Sequence, residues 1–136
     1  MKVVIDTNIF VSSFFGGKPK KIIDLWKTGK LTLCLSDSIL EEYIQVLQRL
    51  GLKDEAELEE LLALFAKGIH ILFTKKTPDL NLIEEDPEDD KFIECAVALK
   101  AGYIITGDKA LESFGQYMRI KILSPQKFLE IFKESG

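Results

Sequence analysis

Short apolar runs rich in β-branched residues alternate with stretches of helical periodicity along the 136-residue chain, and this alternation restricts the fold more than any other feature. "KVVID" (2–6), "LTLCL" (31–35), "HILF" (70–73), "YIIT" (103–106) and "IKIL" (120–123) read as five strands. Between the first two, "PKKIIDLWKTGK" puts Pro19 in the first turn of a helix and Gly29 at its end. Ser36 has the chemistry of an N-cap for a helix running to about Leu50, where Gly51 stops it. A further helix spans 54–67 and closes at Gly68, and residues 74–85 read as loop. "DDKFIECAVALKA" is helical up to Gly102, a short helix starts at Lys109, and Ser124 with Pro125 opens the last one. Strands that alternate with helices make βαβ units and a parallel sheet covered by helices. The expected fold class is α/β: a three-layer α/β/α sandwich with a central, mostly parallel five-stranded sheet, in a single domain over residues 1–136.

Composition narrows the possible functions. Apolar residues make up 46% and charged residues 29%, the balance of a soluble globular protein. No apolar run approaches the roughly 20 residues of a membrane span. "MKVVIDTN" lacks the apolar core of a signal peptide, so the expected location is cytoplasmic. Cys34 and Cys95 are far apart, lie in apolar stretches and read as buried thiols. His70 is the only histidine; no nucleophile motif points to it, and it reads as structural. The net charge of −4 does not advertise nucleic-acid binding. Lysines nevertheless collect at Lys18, Lys20, Lys21, Lys27 and Lys30 and again at Lys121, Lys127 and Lys133, while seven acids fall between Asp79 and Asp90. Solvated helix faces account for most of these; a basic rim around an acidic centre would also suit a polyanion held near a metal.

The strand order of the acids is more telling. Sites in open parallel sheets form at the carboxyl ends of the strands. Asp6 ends the first strand and Asp108 follows the fourth, in "YIITGD". Glu41 and Glu42 lie in the second turn of the helix after strand two, and Asp89 and Asp90 open the helix that leads into strand four. Singly, each has an ordinary explanation as a turn former, an N-cap or a partner of the helix dipole. Jointly, four segments deliver carboxylates to one edge, where like charges repel unless a cation compensates them. Oxygen ligands without Cys or His suit a hard ion, Mg²⁺ or Mn²⁺.

Helix geometry separates some neighbours. At 100° per residue, Ile39, Leu40, Tyr43, Val46, Leu47 and Leu50 form one apolar arc. Glu42 lies roughly 40° outside that arc, whereas Glu41 lies on the far side and should face water. In the later helix, Phe92, Ile93, Ala96 and Leu99 put Asp89 inside the apolar arc and Asp90 at its rim. Periodicity therefore leaves Asp89 and Asp90 both open as the inward acid. Asp86 and Pro87 read as a helix start and Glu88 as a solvated first-turn acid.

Three blocks, "VVIDTNIFVSSFF", "LSDSILEEYIQVL" and "DPEDDKFIECAVALKAGYIITGDKAL", resemble in order the blocks of a PIN domain, over Lys2 to about Leu123. Within that family the chain resembles the small prokaryotic toxin group, the VapC-like ribonucleases. The resemblance implies a metal-dependent endoribonuclease that cleaves single-stranded or structured RNA with water activated by Mg²⁺ or Mn²⁺. Carried over by position, its acids are Asp6, Glu42, Asp90 and Asp108, as catalytic residues and metal ligands. Asp89 is ranked as support, and Thr7, Asn8 and Thr106 as residues that orient the carboxylates and the metal-bound water. The resemblance also implies a cognate antitoxin and a homodimer as partners.

Other phosphate chemistries begin with an Asp after a first strand. Haloacid-dehalogenase-like phosphatases want a second Asp two residues on, where this chain has Asn8, and "TKKTPD" fits poorly as the phosphorylation site of a response-regulator receiver. The remaining alternative is a non-catalytic PIN-type module that binds RNA or a partner.

Overall fold

The computed structural model describes residues 1–50, 55–84 and 86–135. The sheet order is β3-β2-β1-β4-β6-β5, with β1 Lys2–Ile5, β2 Thr32–Ser36, β3 Ile71–Thr74, β4 Tyr103–Ile105, β5 Gln116–Tyr117 and β6 Ile120–Leu123. Every pairing is parallel except β5 with β6, which is antiparallel. Among the described residues the sheet thus has six strands, against the five expected from sequence. The extra one is the two-residue edge strand Gln116–Tyr117, too short for periodicity to register, which turns back through Met118 at a φ of 54°. The chain steps outward from β1 through β2 to β3, then crosses to β4 and β6 on the other side. The order reverses between β1 and β4, the kind of switch point at which parallel sheets place their sites.

Seven α-helices connect the strands among the described residues: α1 Thr7–Ser13, α2 Gly17–Lys27, α3 Asp37–Arg49, α4 Glu55–Lys67, α5 Asp90–Leu99, α6 Lys109–Phe114 and α7 Pro125–Ser135. The caps follow the sequence. The Ser36 hydroxyl accepts from Ile39 N–H, and the Ser124 hydroxyl accepts from Lys127 N–H. Helix α1 was not apparent from periodicity, because Asp6 ends β1 and caps α1 with no residue between. The expected stop at Gly51 and start at Asp54 lie outside the described residues. Helix α5 ends before Gly102: Lys100 itself takes the left-handed conformation, and its N–H reaches Ala96 and Val97 carbonyls.

Val3, Val4 and Ile5 of the central strand are fully buried, as expected for a parallel strand covered on both faces. Phe10, Trp26, Tyr43 and Phe65 bring α1, α2, α3 and α4 together in one aromatic cluster, with ring centroids 4.6 to 5.7 Å apart. Helix α5 packs along β1 to β4. Cys34 and Cys95 are buried and unpaired, and burial pushes their thiols up to about 11 and about 12, which removes them as nucleophiles.

The turn after α2 depends on Gly29. Its φ is 82°, and a Cβ there would lie 2.9 Å from the His70 ring. Gly29→Ala should therefore lower stability by about 1–2 kcal/mol through the left-handed backbone alone. Urea unfolding monitored by Trp26 fluorescence would register this as a lower midpoint; an unchanged midpoint would mean that the turn relaxes without strain.

Candidate functional site

The carboxylates at the switch point are held by side chains from several elements. The backbone N–H of Asp6 pairs with the Ile105 carbonyl at 2.9 Å, which fixes the end of β1 against β4. Its side chain is 5% exposed; Oδ1 accepts from Asn8 N–H at 3.3 Å and Oδ2 from the Thr106 hydroxyl at 2.5 Å. The same Thr106 oxygen accepts from Asp108 N–H at 2.9 Å, so one hydroxyl aligns both acids. Asp108 caps α6, with Oδ1 accepting from Leu111 N–H at 3.0 Å. Asp6 and Asp108 thus both serve as N-caps, the ordinary role considered from sequence, while standing at the switch point.

Glu42 reaches the edge because α3 is fastened there. The buried Tyr43 hydroxyl donates to the Ile5 carbonyl, the last residue of β1. Next to it, Glu42 is 28% exposed and Glu41 faces solvent, in line with the helical geometry. Glu42 Oε2 accepts from the Thr7 hydroxyl, and Oε1 pairs with Lys91 Nζ at 2.6 Å. Of the three residues expected to orient the acids, Thr7 and Thr106 do so through hydroxyls and Asn8 through its backbone N–H.

The two neighbours Asp89 and Asp90 part company. Asp90 is 6% exposed and both its oxygens accept backbone N–H bonds from the preceding loop, from Ile83 at 2.8 Å and Leu82 at 3.2 Å. One turn on, Glu94 accepts from Leu80 N–H at 2.8 Å, so Asp90 and Glu94 form an i,i+4 pair that fastens residues 80–83 to α5. Asp89 instead belongs to a short 3₁₀ turn, Pro87–Asp89, and its Oδ2 is buried with no hydrogen-bond partner among the described residues. Carboxylate oxygens of Asp86, Asp89 and Asp108 all lie within 4.8 Å of one another. Among the described residues, then, the atoms that converge are those of Asp86, Asp89 and Asp108, with Asp6 near enough for its charge to act on Asp89, while Asp90 is engaged by the loop. Asp86 carries no sequence signal beyond that of a helix start before Pro87. Its side chain, however, caps nothing.

The electrostatics follow from this crowding. Burial is the main cause that raises the Asp6 carboxyl; the Thr106 and Asn8 hydrogen bonds oppose it, and the charges of Asp108 and Glu42 add to it. Asp89 is pushed up to about 7, first by burial, then by the charges of Asp108, Asp86 and Asp6, with Lys91 opposing. A buried carboxylate oxygen without a partner, on an acid crowded by other carboxylates, is an unfavourable arrangement without a cation. The all-oxygen donor set and that orphaned oxygen fit a hard divalent ion. The lysines are less uniform than their clustering suggested: Lys27 is held by Glu57 and Glu60, whereas Lys18, Lys21, Lys30, Lys121 and Lys127 are exposed.

An α/β chain whose parallel sheet gathers acids at the switch between β1 and β4 has the architecture of a nuclease-type fold with a place for divalent metal. The chain belongs to the PIN domain family, whose pattern it matches over residues 2–110. PIN domains are generally metal-dependent nucleases. It is also similar to an uncharacterized protein of Methanocaldococcus jannaschii, with 35% identity over 149 aligned positions that cover 98% of this chain and 93% of the relative. Among the described residues, no helix is long and apolar enough to cross a membrane.

Proposed function

We propose that this chain is a divalent-metal-dependent endoribonuclease that cleaves single-stranded or structured RNA, with Asp6, Asp89 and Asp108, joined by Asp86, holding Mg²⁺ or Mn²⁺. The observation that carries this reading is the convergence of carboxylate oxygens of Asp86, Asp89 and Asp108 within 4.8 Å of one another, together with an Asp89 Oδ2 that is buried without a hydrogen-bond partner among the described residues. A bound divalent ion would supply Lewis acidity, an activated water and neutralisation of phosphate charge. The chain's own residues prepare that position. The Thr106 hydroxyl ties the Asp6 carboxylate to the backbone of Asp108, and the Thr7 hydroxyl keeps Glu42 at the rim. Asp90, assigned from family position to the ion, is reassigned here to the loop, and Asp89 takes its place.

Purified protein should cleave single-stranded RNA in Mn²⁺ or Mg²⁺ and lose that activity in chelator. Asp6→Asn should lose it too, with an unchanged far-UV spectrum. RNA binding without cleavage under any divalent ion would instead support a non-catalytic binding module. Full activity in the Asp6 variant would remove Asp6 from the site. The resemblance of the three sequence blocks to the toxin group extends the proposal to a cognate antitoxin and a homodimer. Sequencing RNA ends after induced expression of wild type and Asp6→Asn would identify cleavage positions that need the site.

A further inference from the structure

We propose that Lys91 is a resident cation of the carboxylate rim: it holds Glu42 away from the ion position, so that the chain takes one divalent ion, on the Asp89 side, and not two. This rests on the metal-site reading given above and concerns how that site is divided.

The oxygens of Glu42 are both committed. Oε1 lies 2.6 Å from Lys91 Nζ, and Oε2 accepts from the Thr7 hydroxyl. Across the rim the situation is reversed. Asp89 Oδ2 is buried without a partner among the described residues, and one carboxylate oxygen each of Asp86, Asp89 and Asp108 lies within 4.8 Å of the others. A cation therefore has an evident place on one side and a competitor on the other.

Lys91 is not a loosely solvated lysine. Its side chain is 16% exposed, against 56% for Lys20 in the surface pair with Asp24. It stands in the first turn of α5, and its ammonium lies 5.4 Å from the centre of the Phe92 ring. Partial burial on both sides makes this pair harder to displace than an exposed one, which contributes little.

Ions in two-metal sites stand about 3.5–4 Å apart and share the carboxylates between them. An ion bound through Glu42 Oε1 would have to occupy the position of the ammonium or face it at close range. Lys91 thus supplies fixed positive charge at the place a second ion would otherwise take. Its sequence position is consistent with this role: Asp89, Asp90 and Lys91 are consecutive, yet they face the acid cluster, the loop and Glu42 respectively.

The test is the stoichiometry of Mn²⁺ binding by titration calorimetry, with free Mn²⁺ counted in parallel by electron paramagnetic resonance. Wild type should bind one ion. Lys91→Met keeps the apolar stem and removes the charge, and should bind two. Two ions in wild type, or one in a folded Lys91→Met protein, would overturn the proposal. If Lys91→Met does not fold, Glu42→Gln decides the matter. Mn²⁺ affinity should fall by less than about a hundredfold in that variant, the range for changes beside a ligand, and a larger loss would make Glu42 a ligand and overturn the proposal. No ion bound by folded wild type would overturn the metal-site reading itself, a result distinct from the others.

Discussion

Asp89→Asn should abolish metal-dependent cleavage and, in chelator at pH 8, raise the melting temperature of the protein. The loss of activity should be at least about a hundredfold, because changes that only touch a ligand's hydrogen-bond partners already cost about 10–100-fold. The gain in stability follows from the carboxyl's surroundings. Burial and the charges of Asp108, Asp86 and Asp6 push Asp89 from 3.8 up to about 7. The folded protein thus holds this proton more tightly than the unfolded chain does. The resulting stability is fully present below pH 3.8 and is lost as pH rises through about 7. Asn has nearly the same shape and no charge, so it is spared this loss. Melting curves in chelator should nearly coincide at pH 4 and separate progressively toward pH 8, with the variant higher. Saturating Mn²⁺ should narrow or reverse the gap, because an ion bound only by the folded wild type stabilises it by mass action. A variant that melts lower than wild type at pH 8 in chelator would place Asp89 outside any unfavourable cluster.

Much of the site could be read from sequence because it depends on regular structure. Asp6 and Asp108 each follow a short buried strand, and parallel strands carry whatever follows them to one edge. Glu42 could be separated from Glu41 because α3 is a regular helix anchored by Ile39, Tyr43 and Leu47, although Leu50, included in its apolar arc, is 46% exposed. Asp89 and Asp90 resisted the same treatment for a physical reason. Pro87–Asp89 is a 3₁₀ turn, so a 100° rotation does not apply at the junction with α5. The fate of Asp90 is set by N–H groups in an irregular loop, which no periodicity announces. The one available sign was the spacing of Asp90 and Glu94, four apart on the helix face that meets the loop. Nor could β5 be anticipated, since two residues pairing with β6 leave no pattern.

Asp90→Ala is expected to have the opposite signature to Asp89→Asn. Removing the carboxylate leaves the N–H groups of Leu82 and Ile83 without their acceptor, and Ile83 is only 6% exposed. Each abandoned donor costs about 1–3 kcal/mol when water cannot replace the partner, so stability should fall by about 2–6 kcal/mol. The fall should appear at pH 8 as well as at pH 6, because abandoned N–H donors do not titrate. Loosening should concentrate in the segment that Asp90 and Glu94 secure. Limited proteolysis should then cut between Lys75 and Ile83 in the variant before it cuts wild type, and amide exchange at Leu82 and Ile83 should accelerate. Mn²⁺ should still bind and raise the melting temperature, because Asp86, Asp89 and Asp108 remain. Asp90→Asn is a milder comparison: its amide oxygen can keep one of the two N–H bonds, and the loss should be about half as large. If Asp90→Ala instead melts like wild type and no longer gains stability from Mn²⁺, Asp90 is the ion's ligand and the roles of the two neighbours are reversed. A pair of melting curves with and without Mn²⁺ therefore distinguishes an acid that tolerates repulsion to receive an ion from one that ties a loop to a helix.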